Sequence, residues 1–146
     1  MAKPRVTFYV LADQGSEARL KFACRLVEKA FVQAHRVVVR CGSPQEAREF
    51  DELLWRFSDQ SFVPHELVPP GSEDGAPVIV CAGGPPARQA EVLVNLGEGV
   101  PDWYADFARV AEILDASEDC RRSGRERFRH YREQGMEPET HNLGAA

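Results

Sequence analysis

Long apolar runs are missing from this chain of 146 residues, and so are the short motifs that carry most enzyme chemistry. Nothing approaches the roughly 20 consecutive apolar residues of a membrane-spanning helix, so no membrane association is expected. Residues 1–5 lead straight into a strand-like run without an apolar leader, which points to the cytoplasm. Positive charge is in short supply, with 18 Lys and Arg against 23 Asp and Glu and a net charge of −5. A general nucleic-acid binder usually shows a basic surface, so contact with DNA is expected only indirectly. Cysteine is sparse and scattered at Cys24, Cys41, Cys81 and Cys120. None forms Cys-x-x-Cys, and His35, His65, His130 and His141 stand at no metal-like spacing from them. Each cysteine therefore reads as a small apolar side chain, and neither metal nor cofactor is expected.

Glycine is also absent where a nucleotide would require it. After the first strand the chain reads Ala12-Asp13-Gln14-Gly15-Ser16, with one glycine and an aspartate where a phosphate needs donors. No Gly-x-x-x-x-Gly-Lys-Ser/Thr occurs. Gly83 and Gly84 are followed by Pro85 and Pro86, which remove backbone N–H groups where a phosphate cradle supplies them. Those two glycines read as turn residues. There is no Gly-x-Ser-x-Gly, and no histidine has an evident nucleophilic partner. A non-catalytic protein is the consequence, with a nucleotide-binding α/β enzyme domain as the rival reading.

What is present has the rhythm of an α/β domain. Residues 6–11 are β-branched and aromatic, as a buried strand requires. Ser16 is placed to cap a helix whose apolar positions Leu20, Ala23, Cys24, Val27, Phe31 and Ala34 recur at three and four. A second strand covers 36–41, and Ser43-Pro44-Gln45-Glu46 forms a capping box with proline at the first helical position. The second helix turns Ala47, Phe50 and Leu54 inward and ends near 55–57. Residues 58–77 read as irregular, with an exposed loop over 69–75. Strands follow at 78–81 and 91–96, then a turn-like stretch over 101–106. Periodicity over 107–114 fits helix or strand, and a strand is the reading adopted. Ser117 caps a last helix that Gly135 stops. The expected architecture is a single α/β domain over 1–136, a mostly parallel sheet flanked by helices, with 137–146 as a flexible tail.

Two surfaces stand out. Residues 121–132 hold six arginines and one glutamate, a charge of +5 in a chain of −5. At helical spacing Arg121, Arg125, Phe128, Arg129 and Arg132 fall on one side. Four guanidiniums around one ring suit an acidic peptide with an apolar end. Like charges at i, i+4 destabilise a helix, and no glutamate is interleaved on this stripe, so a merely solubilising role is the weaker reading. The second surface joins residues 53–57 to Phe62, Val63, Pro64 and His65. Its aromatics either close the core or form a protein interface, where aromatic residues are enriched.

At these residues the sequence resembles the chi subunit of bacterial DNA polymerase III holoenzyme. The resemblance runs in order through residues 7–11, Leu53-Leu54-Trp55, Ser61-Phe62-Val63-Pro64-His65, residues 75–78 and the block at 125–132. It implies a nucleotide-binding-like fold without a phosphate loop, acting as a non-catalytic subunit. It also implies pairing with the psi subunit, which tethers chi to the clamp loader, and binding of the acidic, phenylalanine-ended tail of single-stranded DNA-binding protein. Carried over, the tail-binding residues are Arg121, Arg125, Phe128 and Arg129, with Arg132 continuing the stripe. Two of these depart from the family's common lysine and tyrosine. Trp55, Phe62 and Val63, with Pro64 and His65 of the same block, correspond to the psi-facing surface.

Overall fold

A computed structural model describes residues 3–58, 62–67, 76–82 and 90–143. Among these residues seven strands form one sheet: β1 (Arg5–Leu11), β2 (Val37–Cys41), β3 (His65–Leu67), β4 (Val78–Ala82), β5 (Val92–Asn95), β6 (Arg109–Leu114) and β7 (Glu139–Leu143). Their order is β3-β4-β2-β5-β6-β1-β7 and every pairing is parallel. A parallel sheet needs cover on both faces. Helices α1 (Ser16–Val32) and α2 (Pro44–Arg56) pack Leu20, Ala23, Val27, Phe50 and Leu54 against one face. Helix α3 (Glu118–Glu133) seals the other, packing Tyr131 against Val6, Phe8, Val110 and Leu114. The stretch at 107–114 supplies strand β6, flanked by β5 and β1, and its residues 110–114 are buried.

The local signals acted largely as their chemistry dictates. Ser43 Oγ accepts from the Glu46 N–H at 3.1 Å, while Glu46 Oε1 reaches back to the Gly42 N–H at 2.9 Å. The box therefore closes one residue earlier than its usual form. At α1 the expected cap at Ser16 shifts: Gly15 occupies that position with φ of 107°, a conformation open to glycine, and Ser16 is the first helical residue. The same helix ends in a Schellman motif, with the Ala34 N–H donating to Phe31 and the His35 N–H to Ala30. Ala34 takes the left-handed position there, at φ 66°.

Two strands run against expectation. Within the segment expected to be irregular, His65–Leu67 pairs with β4. Residues 139–143, expected to fray, pair along β1 from Thr7↔Glu139 to Leu11↔Leu143. The expected loop at 69–75 and the turn at Gly83–Gly84 lie outside the described residues. No helix among the described residues is long and apolar enough to cross a membrane.

Candidate partner-binding surfaces

Helix α3 presents its two sides to very different surroundings. Gly124, Arg127 and Tyr131 face the sheet and are buried. Glycine at 124 permits a close approach, because a Cβ there would press into the Leu114 side chain. Below it lies Glu112, wholly buried in β6. Its carboxylate accepts from Arg127 Nε at 2.9 Å, from the Tyr131 hydroxyl at 2.6 Å and from Asn95 Nδ2 at 2.9 Å. A buried carboxylate is tolerated only with such compensation. Burial, followed by the Glu112 charge, pushes the Tyr131 phenol well above its ordinary value, so it stays a proton donor. Arg127 Nη1 donates on to Ser123 Oγ at 2.6 Å. This clamp fixes how α3 is rotated on the sheet.

The rotation sets out the opposite side. Arg125, Phe128, Arg129 and Arg132, joined by Glu133, line a shallow depression of about 460 Å³. Phe128 is half-buried, its ring 5.2 Å from that of Phe8, so its inner edge is core and its outer edge is open. Among the described residues no carboxylate pairs with Arg125, Arg129 or Arg132. Arg121 is exposed but lies outside the depression, one turn nearer the start of the helix, where Nη2 donates to the Leu11 carbonyl at 3.3 Å. The structure thus brings four of the five stripe residues together and sets Arg121 apart. Arg122 pairs with Asp119 at 2.7 Å on an exposed flank.

The second surface is built where α2 ends and β3 begins. Trp55 and Phe62 are 53% and 63% exposed, yet their rings lie 5.3 Å apart. Val63 turns into the core at 1% exposure, and His65 is also buried. The His65 ring lies beneath Trp55 at 4.5 Å. Its Nδ1–H donates to the Val63 carbonyl at 2.7 Å, and Nε2 stands 3.2 Å from both the carbonyl and Oδ1 of Asp51. Val63 and His65 therefore hold the aromatic pair up from below, Pro64 is half-buried between them, and Leu67, exposed on β3, extends the patch.

Sequence reasoning missed the Glu112 clamp. The signal was there, since Gly124, Arg127 and Tyr131 recur at i, i+3 and i+7, a second helical face beside the arginine stripe. Elsewhere the chemistry is quiet. Burial pushes the Cys24 thiol up to about 12 and that of Cys81 up to about 11, so both stay protonated and inert near neutrality. Among the described residues no group of three or more His, Cys, Asp or Glu side chains is placed to hold a metal.

Residues 3–139 match the family described as DNA polymerase III chi subunit, HolC. The chain is 39% identical over 139 residues to DNA polymerase III subunit chi of Pseudomonas aeruginosa, covering 95% of this chain and 96% of that protein. It is 28% identical to the subunit chi of Haemophilus influenzae, covering 94% and 96%, and 28% identical to that of Escherichia coli, covering 89% and 92%. With the family matched over nearly its whole length, this chain belongs to the DNA polymerase III chi subunit family.

Proposed function

We propose that this protein is a non-catalytic, cytoplasmic subunit of the polymerase III assembly, linking it to single-stranded DNA coated by single-stranded DNA-binding protein. The observation that carries this reading is the set of guanidiniums at Arg125, Arg129 and Arg132, without a carboxylate partner among the described residues, around the open edge of Phe128. An acidic tail ending in phenylalanine matches it, carboxylates to guanidiniums and ring to ring. From Arg125 to Arg132 the helix rises about 10 Å, the span of roughly three extended residues. Shielded charge-assisted hydrogen bonds contribute about 1.5–3 kcal/mol each. A few of these, with about 1.5–3 kcal/mol more from burying the terminal ring and less the cost of ordering the tail, correspond to roughly micromolar affinity. Many tails on one coated strand then raise the effective affinity well beyond that.

The Trp55–Phe62 patch is the proposed contact with psi, presented by the buried Val63 and His65. Two adjoining aromatics, their rings tilted by 40° and exposed beside an edge strand, have the composition of an interface anchor.

Anisotropy with an acidic, phenylalanine-ended peptide against a bare oligonucleotide tests the first site. The peptide is expected to bind more tightly, and affinity to fall with added salt because exposed pairs are screened. Arg125→Ala should weaken the peptide about five-fold or more; an unchanged affinity at low salt would remove Arg125 from the site. Tighter binding of the bare oligonucleotide would favour direct DNA contact. Phe62→Ala should reduce psi association by about ten-fold or more, with peptide affinity unaltered.

A further inference from the structure

On the face of the sheet opposite α3, the strand register gathers a group of side chains that neither surface above uses. Arg5 lies beside Arg109, Thr7 beside Ala111 and Glu139, and Tyr9 beside His141. Alternate residues of a strand share a face, so these rows stand together, roofed by Leu26, Lys29 and Ala30 of α1 and by Gln33 just past its end. They line a groove of about 280 Å³. Apolar and aromatic side chains, among them Tyr9, Leu26, Ala30 and Ala111, share its lining about equally with polar ones, and the Tyr9 and His141 rings lie 5.6 Å apart at 30°. Its rim is cationic: three Lys and Arg side chains face one carboxylate, leaving two positive charges.

Three details set this groove apart from an ordinary charged surface. Arg5 and Arg109 are direct register neighbours, a like-charge pairing that destabilises a sheet. Glu139 pairs with Arg5 at 3.0 Å and stands 3.7 Å from His141 Nε2, and among the described residues neither Arg109 nor Lys29 has an ion-pair partner. The Tyr9 hydroxyl lines the same groove and makes no hydrogen bond among the described residues, leaving a donor free. Near the end of α1 the Lys29, Phe31 and Ala30 carbonyls accept from the N–H groups of Gln33, Ala34 and His35, which lessens their repulsion of an anion.

We infer that this groove binds a flat aromatic ring bearing an anionic group, with Arg109 and Lys29 holding the anion and the ring lying against Tyr9, Leu26 and Ala30. The volume sits at the small end of ligand pockets, which favours a single ring system over a dinucleotide. Nucleoside monophosphates and aromatic carboxylates share this chemistry.

Calorimetry on the whole chain with 5′-AMP and with 2-naphthoate distinguishes those sources, with adenosine and inorganic phosphate as controls lacking the charge or the ring. At least one charged-ring probe should saturate, about ten-fold tighter than either control. Whichever probe does so identifies the source. Arg109→Gln and Lys29→Gln, both on exposed side chains, should each weaken it about five-fold or more. Arg125→Gln, on the opposite face, should leave it unchanged. In the wild-type protein the imidazole resonances of His141 and His35 should shift with the same titration curve. The inference is overturned by no saturable binding up to about 10 mM. It is equally overturned if adenosine or phosphate binds as well as the charged-ring probe, if Arg109→Gln and Lys29→Gln bind like wild type, or if Arg125→Gln weakens as much as they do.

Discussion

Arg127 and Arg129 are two residues apart on one helix, and the structure uses them in opposite ways. Arg127 is buried, its guanidinium 2.9 Å from the fully enclosed Glu112 carboxylate and 2.6 Å from Ser123 Oγ. Arg129 is exposed on the lip of the α3 depression and, among the described residues, has no carboxylate partner. A step of two residues along an α-helix rotates a side chain to nearly the far side. Burial then decides what the charge is for. Inside, it compensates a neighbour that would otherwise be intolerable; outside, it remains available to an incoming anion.

The contrast can be broken most directly by deleting each guanidinium. Arg127→Met leaves Glu112 buried with one fewer donor and should cost about 3–5 kcal/mol of stability. Arg129→Met should stay within about 0.5 kcal/mol. Denaturant midpoints measured side by side decide it, and equal losses would erase the distinction between the two faces. A smaller effect is expected from Gly124→Ala. The added methyl must displace Leu114, an overpacking cost of about 1–3 kcal/mol, against which improved helix propensity returns about 1 kcal/mol. A net loss with α3 displaced would sharpen the view that close approach of helix and sheet positions the stripe; a gain would show that the helix gives way freely.

Alkaline titration separates the faces more gently. Tyr131 holds its proton more tightly folded than its ordinary value of 10.0, and Cys24 more tightly than 9.0. Once pH rises above those values the unfolded chain binds fewer protons than the folded one, so stability falls, by at most about 1.4 kcal/mol per pH unit for each group. For Cys24 the loss accumulates between 9.0 and about 12. Unfolding free energies at pH 8, 9.5 and 10.5 should therefore decline progressively, and Cys24→Ala should make the decline shallower. A flat profile would contradict the placement of these groups inside.

Much of the architecture was legible because periodicity and capping are local properties. The inward positions Leu20, Ala23, Cys24, Val27, Phe50 and Leu54 were read from spacing and are all buried. The cap at Ser43 was legible for the same reason, whereas periodicity over 107–114 fitted helix or strand and the sheet makes 109–114 a strand. Strand β3 is only three residues long, and β7, with sequence ETHNL, is exposed throughout. Neither carries an apolar alternation to read. Each exists because a neighbouring strand offers its backbone, which no local pattern records. The stripe at 125–132 was visible as charge on one face, but the separation of Arg121 was not, because the Leu11 carbonyl that engages it is 110 residues away.

By itself, the order of residues determined the helices and the strands other than β3, β6 and β7, which side of each helix is apolar, and that one helix carries an excess of arginine on one face. Those outcomes depend on bonds and spacings within a few residues. Only the folded sheet decided that Arg127 would be enclosed by Glu112, Tyr131 and Ser123 while Arg125, Arg129 and Arg132 stayed open, and that Arg5, Arg109 and Lys29 would meet around one groove. Charge alone does not distinguish those fates. Desolvation does, and it depends on parts of the chain brought together by the tertiary structure.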